Sequence, residues 1–255
     1  MARADKKPLP ELMDQATLPL ADTHRALEDL DRVHRWLLGS HAVKRALLPR
    51  LMTEPVEQTA VDLGTGSGQL AAGTVECARR YGITLRIVGL DRKLSHLVYG
   101  RRQGIPQLRV VADARALPFG DQTVDWCVSN LFFHHFTPDH NHQILTEMQR
   151  VGMRGALIVD LRQSRIARRL IGPLLRLLRV AWVADHDGRT SVANAWSLDE
   201  LSTLLDGREP VELRRRFPFR FSLVLGPARP GHCACRPARR PAAPIGGDRI
   251  RRLDH

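Results

Sequence analysis

The chain has 255 residues, of which 43% are hydrophobic and 26% charged, and this composition excludes a disordered protein and indicates a chain that can bury a sizeable core. No apolar segment approaches the roughly 20 residues that cross a bilayer, and the first residues lack a signal-peptide pattern, so we expect a cytoplasmic protein. The net charge of +12 suggests nucleic-acid binding, but an aromatic content of 5% without aromatic–basic interleaving disfavours it.

The N-terminal region divides into two predicted parts. Residues 1–22 are polar and contain proline, which predicts a flexible arm. Apolar residues then recur at spacings of three and four between Leu27 and Leu37, and a similar set follows. We therefore predict an N-terminal cap of two short helices over residues 23–52, at the start of a domain over residues 23–226.

From residue 59 the sequence alternates between short apolar segments typical of strands and segments with helical periodicity. The helices predicted between the strands cover residues 69–81, 94–102 and 141–151. The predicted strands cover residues 59–63, 85–90, 108–112, 124–129 and 156–160. This alternation predicts βαβ units and parallel strand pairing.

The second half of the chain completes the predicted sheet. Residues 164–182 alternate leucines with arginines, which predicts a basic amphipathic helix kinked at Pro173. Residues 211–217 and 219–225 are typical of two strands joined at Pro218, an antiparallel hairpin. The sequence therefore predicts an α/β fold: a Rossmann-like, doubly wound, mostly parallel seven-stranded sheet with helices on both faces and an antiparallel C-terminal hairpin.

The C-terminal segment is strongly basic. Between residues 226 and 255, seven arginines stand against two aspartates. Its richness in Arg, Pro, Ala and Gly without apolar periodicity predicts a disordered basic tail over residues 227–255. Cys233 and Cys235 follow His232 but lack a second pair of ligands, so the sequence predicts no metal site.

The stretch VDLGTGSGQL begins at Val61 and connects a predicted strand to a predicted helix, which is a corner that binds anions or nucleotides. No lysine follows the glycines, so the stretch lacks the ATP-binding Walker pattern. Gln69 occupies the sixth position of the stretch that begins at Gly64, where a dinucleotide fingerprint requires Gly or Ala. The loop therefore favours neither ATP nor a dinucleotide.

Polar residues at the ends of four predicted strands distinguish this loop further. Asp62 precedes the glycines, Asp91 ends the second strand, and Asp113 ends the third. The fourth strand ends at Asn130, within the segment SNLFFHHF. On these motifs the chain resembles the class I S-adenosylmethionine-dependent methyltransferases, especially the small-molecule branch that includes quinone-methylating enzymes, clearly over about residues 56–161.

The resemblance implies that S-adenosylmethionine is the cofactor and lies across these strand ends. Asp62 would steer the cofactor amine, and Asp91 would accept both ribose hydroxyls. Asp113 would accept from the adenine amino group, the Ala114 N–H would pair with the ring, and Asn130 would lie next to the methyl group. The cofactor residues predicted in this way are Asp62, Gly64, Thr65, Gly66, Gly68, Asp91, Arg92, Asp113, Ala114 and Asn130.

Three histidines are candidate catalytic bases. A phenol or enol acceptor can require removal of a proton, which histidine performs near neutral pH. His134 and His135 follow the fourth strand, close to the expected methyl position, and His186 precedes an aspartate that could fix its tautomer. A packing or helix-capping role is the alternative for each of them.

The resemblance implies a methyltransferase that acts on oxygen or carbon of a small, aromatic, quinone- or polyketide-like acceptor. It also implies that residues 164–194 form a lid over that acceptor, and their basic, leucine-rich pattern permits weak contact with a membrane surface. An RNA methyltransferase and a non-catalytic cofactor- or partner-binding protein remain alternatives. The segment after Asn130 lacks the NPPY-type motif of amino-directed methyltransferases.

Overall fold

The computed structural model describes residues 7–15, 17–37, 39–53, 57–205 and 207–228. None of the helices in this part of the chain is long and apolar enough to cross a membrane. The helices are α1 (Leu20–Trp36), α2 (His41–Leu51), α3 (Gln69–Arg80), α4 (Leu94–Arg102), α5 (Pro138–Val151), α6 (Arg165–Leu177), α7 (Trp182–Asn194) and α8 (Leu198–Leu205). The strands are β1 (Gln58–Leu63), β2 (Leu85–Asp91), β3 (Leu108–Val111), β4 (Val124–Asn130), β5 (Gly152–Leu161), β6 (Glu212–Arg216) and β7 (Arg220–Leu225).

The seven strands form one sheet in the order β3-β2-β1-β4-β5-β7-β6. Strands β1 to β5 pair in parallel, whereas β7 pairs antiparallel with both β5 and β6. Every residue of β4 and β7 is buried, as expected for strands covered by helices on both faces. The predicted Rossmann-like sheet with its C-terminal antiparallel hairpin is confirmed.

Two apolar cores lie on the opposite faces of the sheet. On one face, Ile144 and Met148 of α5 and Leu201 of α8 are fully or almost fully buried. On the other face, Leu47 of α2 and Ala78 of α3 are completely buried. These helices pack on both faces of the sheet. The carboxyl ends of its parallel strands lie side by side along one edge.

The strand order reverses between β1 and β4, because β1 has β2 on one side and β4 on the other. Open α/β sheets bind ligands in the crevice at such a reversal, outside the carboxyl ends of the strands. The glycine loop follows β1 at this point. The topology alone therefore places the loop and the ends of β2 and β4 around one crevice.

The N-terminal segment differs from the predicted flexible arm over residues 7–15. The backbone N–H groups of Leu12 and Met13 donate to the Asp187 carboxylate on α7, at 2.7 and 2.9 Å. Leu9 exchanges two hydrogen bonds of 2.9 Å with the Asn194 side chain, also on α7. Because these partners lie more than 170 residues away, no local sequence pattern could reveal them.

The predicted kinked helix of residues 164–182 is also different in the structure. Pro173 lies inside α6, which continues to Leu177, and the chain turns where Arg179 adopts a φ of 49°. A second helix, α7, follows from Trp182. The sequence does not reveal this turn, because its left-handed backbone conformation is adopted by an arginine. Such a conformation is usually signalled by a glycine.

A buried triad of charged groups links the N-terminal segment to the sheet. Nδ1 of His134 lies 2.7 Å from Asp160 Oδ1 at the end of β5, and Nε2 lies 3.6 Å from Glu11 Oε1. Burial alone would lower the pKa of His134, but the two carboxylates outweigh it and raise that pKa to about 10. The ring is therefore a cation at neutral pH, held between two carboxylates whose pKa values lie below their ordinary range despite burial.

We expect the His134→Gln variant to lose about 3 kcal/mol or more of unfolding free energy at pH 6, because Asp160 and Glu11 would then lack their cation. Because the pKa of His134 is raised to about 10 in the folded state, its contribution to stability is complete below about pH 6.5. That contribution disappears as the pH rises through about 10. Urea unfolding of both proteins should therefore show a difference that shrinks between pH 6 and pH 10. A difference that stays constant over this range would contradict the buried imidazolium.

Candidate cofactor and acceptor site

The glycine loop turns sharply because three of its glycines have a positive φ: 70° at Gly64, 58° at Gly66 and 86° at Gly68. At Gly64 a side chain is also excluded sterically, since a Cβ atom would lie 2.2 Å from the Phe132 ring. At Gly66 a Cβ atom would meet nothing closer than Leu27, at 3.9 Å. The backbone at Gly66 is therefore open to a ligand that approaches closely.

Two predicted cofactor residues, Asp62 and Gly68, stabilise the conformation of the loop. Thr65 Oγ1 donates to Asp62 Oδ2 at 2.7 Å, and burial, aided by the nearby charge of Asp91, raises the pKa of Asp62 to about 7. Gly68 lies at the N-cap of α3 and packs against Gln107. Both residues therefore shape the loop, and neither is among the residues that line the cavity beside it.

Asp91 ends β2 as a fixed, ionised acceptor. Its carboxylate accepts from the backbone N–H groups of Gly66 and Lys93, at 3.0 and 2.8 Å, and His96 Nδ1 lies 3.4 Å away. Burial would raise the pKa of Asp91, but the hydrogen bond from His96 and those from the backbone keep it below its ordinary value. A carboxylate has about four acceptor positions, so one remains for a further donor, and a second donor would have to replace the long contact with His96.

Asp113 and Ala114 follow β3 and also line the crevice. The Asp113 carboxylate pairs with Arg115, whose Nη2 lies 2.6 Å from Oδ2, and this contact lowers the Asp113 pKa. Ala114 is buried with an exposed fraction of 4%. The pair thus offers an ionised acceptor beside an apolar surface, on the same sheet edge as Asp91.

Asn130 ends β4 with an unsatisfied amide. Its side-chain Oδ1 and Nδ2 are buried and have no hydrogen-bond partner within the described part of the chain. Buried polar atoms are almost always paired, because leaving one unpaired costs about 1–3 kcal/mol. Since Asn130 lines the crevice, the amide fits a polar group of a bound ligand.

One cavity of about 550 Å³ connects these groups. It brings together most of the site residues predicted from the sequence and omits Asp62, Gly68 and His186. The predicted residues that line it are Gly64, Thr65, Gly66, Asp91, Arg92, Asp113, Ala114, Asn130, His134 and His135.

The three predicted catalytic histidines have different surroundings. His135 is partly exposed in the cavity, and its Nδ1 lies 2.9 Å from Asp14 Oδ2. His134 belongs to the buried triad, and its protonated ring cannot accept a proton at neutral pH. His186 bonds to Asp187 at 2.9 Å, lies outside the cavity, and is half exposed.

Sequence reasoning missed the carboxylates around His134 and His135. Glu11 and Asp14 lie at the two ends of a single 3-10 turn whose position depends on α7, so no motif marks them. Asp160 ends β5, and the strand-end position that identified Asp91 could have identified it as well.

Glu11, His134 and His135 place one possible metal-ligand atom each within 4.8 Å of one another. When the His134 ring is protonated, both of its nitrogens carry hydrogen and neither offers a lone pair. In the ion-paired arrangement the cluster therefore holds the N-terminal segment in place. Cys233 and Cys235 lie outside the described residues.

Apolar side chains of three helices also line the cavity. The resemblance implies a lid over residues 164–194, but Leu170 and Leu177 of this segment are exposed to solvent. Ile171 and Leu175 of the same helix line the cavity instead. The remaining apolar wall includes Leu27, Leu30 and Val33 from α1 and Ala184 from α7.

Comparison with known proteins supports the interpretation of the loop and strand ends. Residues 61–159 match the family model described as a methyltransferase domain. A protein described as an uncharacterised methyltransferase of Mycobacterium tuberculosis H37Rv is 31% identical over 142 residues, which are 55% of this chain and 54% of that protein. The chain thus spans about half the length of the curated relatives it matches.

Solved structures share the fold over most of the chain. An S-adenosylmethionine-dependent methyltransferase from Aquifex aeolicus is 15% identical, with 82% of this chain and 98% of that chain covered and a TM-score of 0.54. A chain in the complex of the Haloferax volcanii Trm112 methyltransferase activator with a methyltransferase is 21% identical, with coverages of 84% and 100% and a TM-score of 0.55. The chain therefore shares its fold with these structures, and its residues 61–159 match the model of a methyltransferase domain.

Proposed function

We propose that this protein transfers a methyl group from S-adenosylmethionine to an oxygen or carbon atom of a small, aromatic, quinone- or polyketide-like acceptor. The observation that carries the proposal is the unpaired amide of Asn130, which lines one cavity together with two unlike sets of residues. We call the polar strand-end residues the cofactor half and the apolar residues of α1, α6 and α7 the acceptor half. A polar cofactor and an apolar acceptor would meet near the amide.

The residues of the cofactor half fit S-adenosylmethionine. Asp91 would accept from the ribose hydroxyls, and Asp113 would accept from the adenine amino group. The open backbone at Gly66 admits the methionine part, and Asn130 supplies both a donor and an acceptor nearby. When bound, this cofactor supplies an electrophilic methyl group, so the protein has chiefly to align the nucleophile.

His135 is the candidate that would remove a proton from a hydroxyl acceptor. When the ring is neutral and Nδ1 donates to Asp14, the lone pair lies on Nε2. The Asp14 carboxylate, 2.9 Å from Nδ1, would hold that tautomer. His135 would act as the base, and Asp14 would be a positioning residue.

The acceptor half suggests the class of acceptor. Ile171 and Leu175 from α6 and Ala184 from α7 offer dispersion contacts and few hydrogen bonds. A planar aromatic or quinone-like molecule suits such a wall better than a sugar or a phosphate. Residues 164–194 would serve as the lid, since α6 and α7 cover this half.

The Gly66→Ala variant should lose S-adenosylmethionine binding, because its new methyl group would occupy the space that is open at Gly66. Gly82→Ala is the matched control, since Gly82 has a φ of 73° with open space around its Cβ position and lies outside the cavity. Both variants should lose about 1 kcal/mol of stability from the left-handed backbone. Calorimetric titration should separate them, and equal affinities in the two variants would contradict the cofactor placement.

The His135→Gln variant should lose roughly a hundredfold or more of the methyl-transfer rate. Its affinity for S-adenosylmethionine should not change, because the side chain belongs to the acceptor half. Labelled-methyl transfer to a panel of phenols, quinols and RNA would measure the rate and identify the acceptor. His186→Gln, outside the cavity, is the control; if both variants kept the full rate, His135 would not be the base.

A further inference from the structure

Helix α6 leaves an apolar stripe in solvent. Ile166, Leu170, Pro173 and Leu177 are all exposed, and their spacings of four, three and four residues place them on one side of the helix. Leu177 has an exposed fraction of 78%. The side of the helix that carries Leu175 packs inward, so this stripe is additional to the buried one.

Positive charge lies along one side of the stripe. Arg165, Arg169 and Arg176 are exposed there, and the helix contains no acidic residue. Arg168 is exposed as well, but it lies seven residues before Leu175 and therefore on the inward side of the helix. The side chains of Arg165 and Arg169 have no hydrogen bond or ion pair with any residue that the structure describes. Uncompensated arginines beside exposed leucines are the pattern of a helix that lies at the surface of an anionic membrane.

We propose that the exposed side of α6, together with Trp182 at the start of α7, docks on an anionic phospholipid bilayer. The arginines would contact lipid phosphates while the stripe entered the region between headgroups and acyl chains. A second copy of the chain is a poor occupant of this surface. A two-fold contact along the stripe would bring Arg165, Arg169 and Arg176 against the identical residues of the second copy.

Docking in this orientation would also bring the acceptor half of the cavity close to the bilayer, because Ile171 and Leu175 of α6 line it. This step rests on the proposed function. It narrows the acceptor to a lipophilic molecule that dissolves in the membrane.

The full chain carrying Trp36→Phe is the reporter for this test. Among the described tryptophans, Trp36 and Trp182 are exposed, whereas Trp126 and Trp196 are buried. In this background, Trp182 emission should shift to shorter wavelength with vesicles of phosphatidylcholine and phosphatidylglycerol, and should not shift with phosphatidylcholine alone. The basic tail is the same in every sample, so its own attraction to lipid does not affect comparisons between variants.

Single substitutions then separate the apolar and the charged contributions. Leu177→Gln should weaken binding to the anionic vesicles about tenfold, and Arg169→Gln about fivefold. Leu108→Gln on β3, where the exposed fraction is 71%, is the control for an exposed leucine elsewhere. Arg45→Gln on α2 is the control for an exposed arginine.

The proposal is overturned if anionic vesicles do not shift Trp182 emission, or if Leu108→Gln weakens binding as much as Leu177→Gln. A lipid-independent dimer that Leu177→Gln dissociates would also overturn it. Calorimetric titration with S-adenosylmethionine on the same proteins tests the proposed function separately. Loss of vesicle binding with retained cofactor binding would reject only the docking surface.

Discussion

The buried triad of Asp160, His134 and Glu11 is the interaction on which the architecture of the site depends. It connects the end of β5, the segment after β4 and the N-terminal segment through one protonated ring. A buried cation between two carboxylates stabilises the fold only while all three partners are present. The N-terminal segment is thereby held over the cavity, where it presents Asp14 to His135.

The two halves of the cavity have different structural origins. The cofactor half consists of backbone turns and side chains at the ends of parallel strands, whose positions the sheet fixes. The acceptor half consists of α1, α6, α7 and the N-terminal segment, which are joined to one another by polar links such as Asp29 of α1, whose carboxylate accepts from Ala181 N, just before α7, at 2.6 Å. Because these elements lie outside the sheet, the acceptor half can vary while the cofactor half stays constant.

The cofactor half of the cavity could be predicted from the sequence better than the acceptor half. Asp91 and Asn130 could be located from the sequence because a strand and its terminal residue form a local pattern. Glu11 and Asp14 could not, since their positions depend on hydrogen bonds to α7 that span most of the chain. The sequence could not predict which side of α6 faces solvent, because apolar residues cover more than half of the helix circumference. Only packing against the rest of the protein decides which of these residues are buried.

The most direct test of the account is a crystal structure of the chain grown with S-adenosylhomocysteine, the demethylated cofactor. The account predicts density across the glycine loop, with the ribose on the Asp91 carboxylate and the sulfur close to the Asn130 amide, facing the acceptor half of the cavity. Density for S-adenosylhomocysteine elsewhere on the protein would contradict this placement. So would an empty cavity at a saturating concentration of the ligand, with the Asn130 amide paired to the protein.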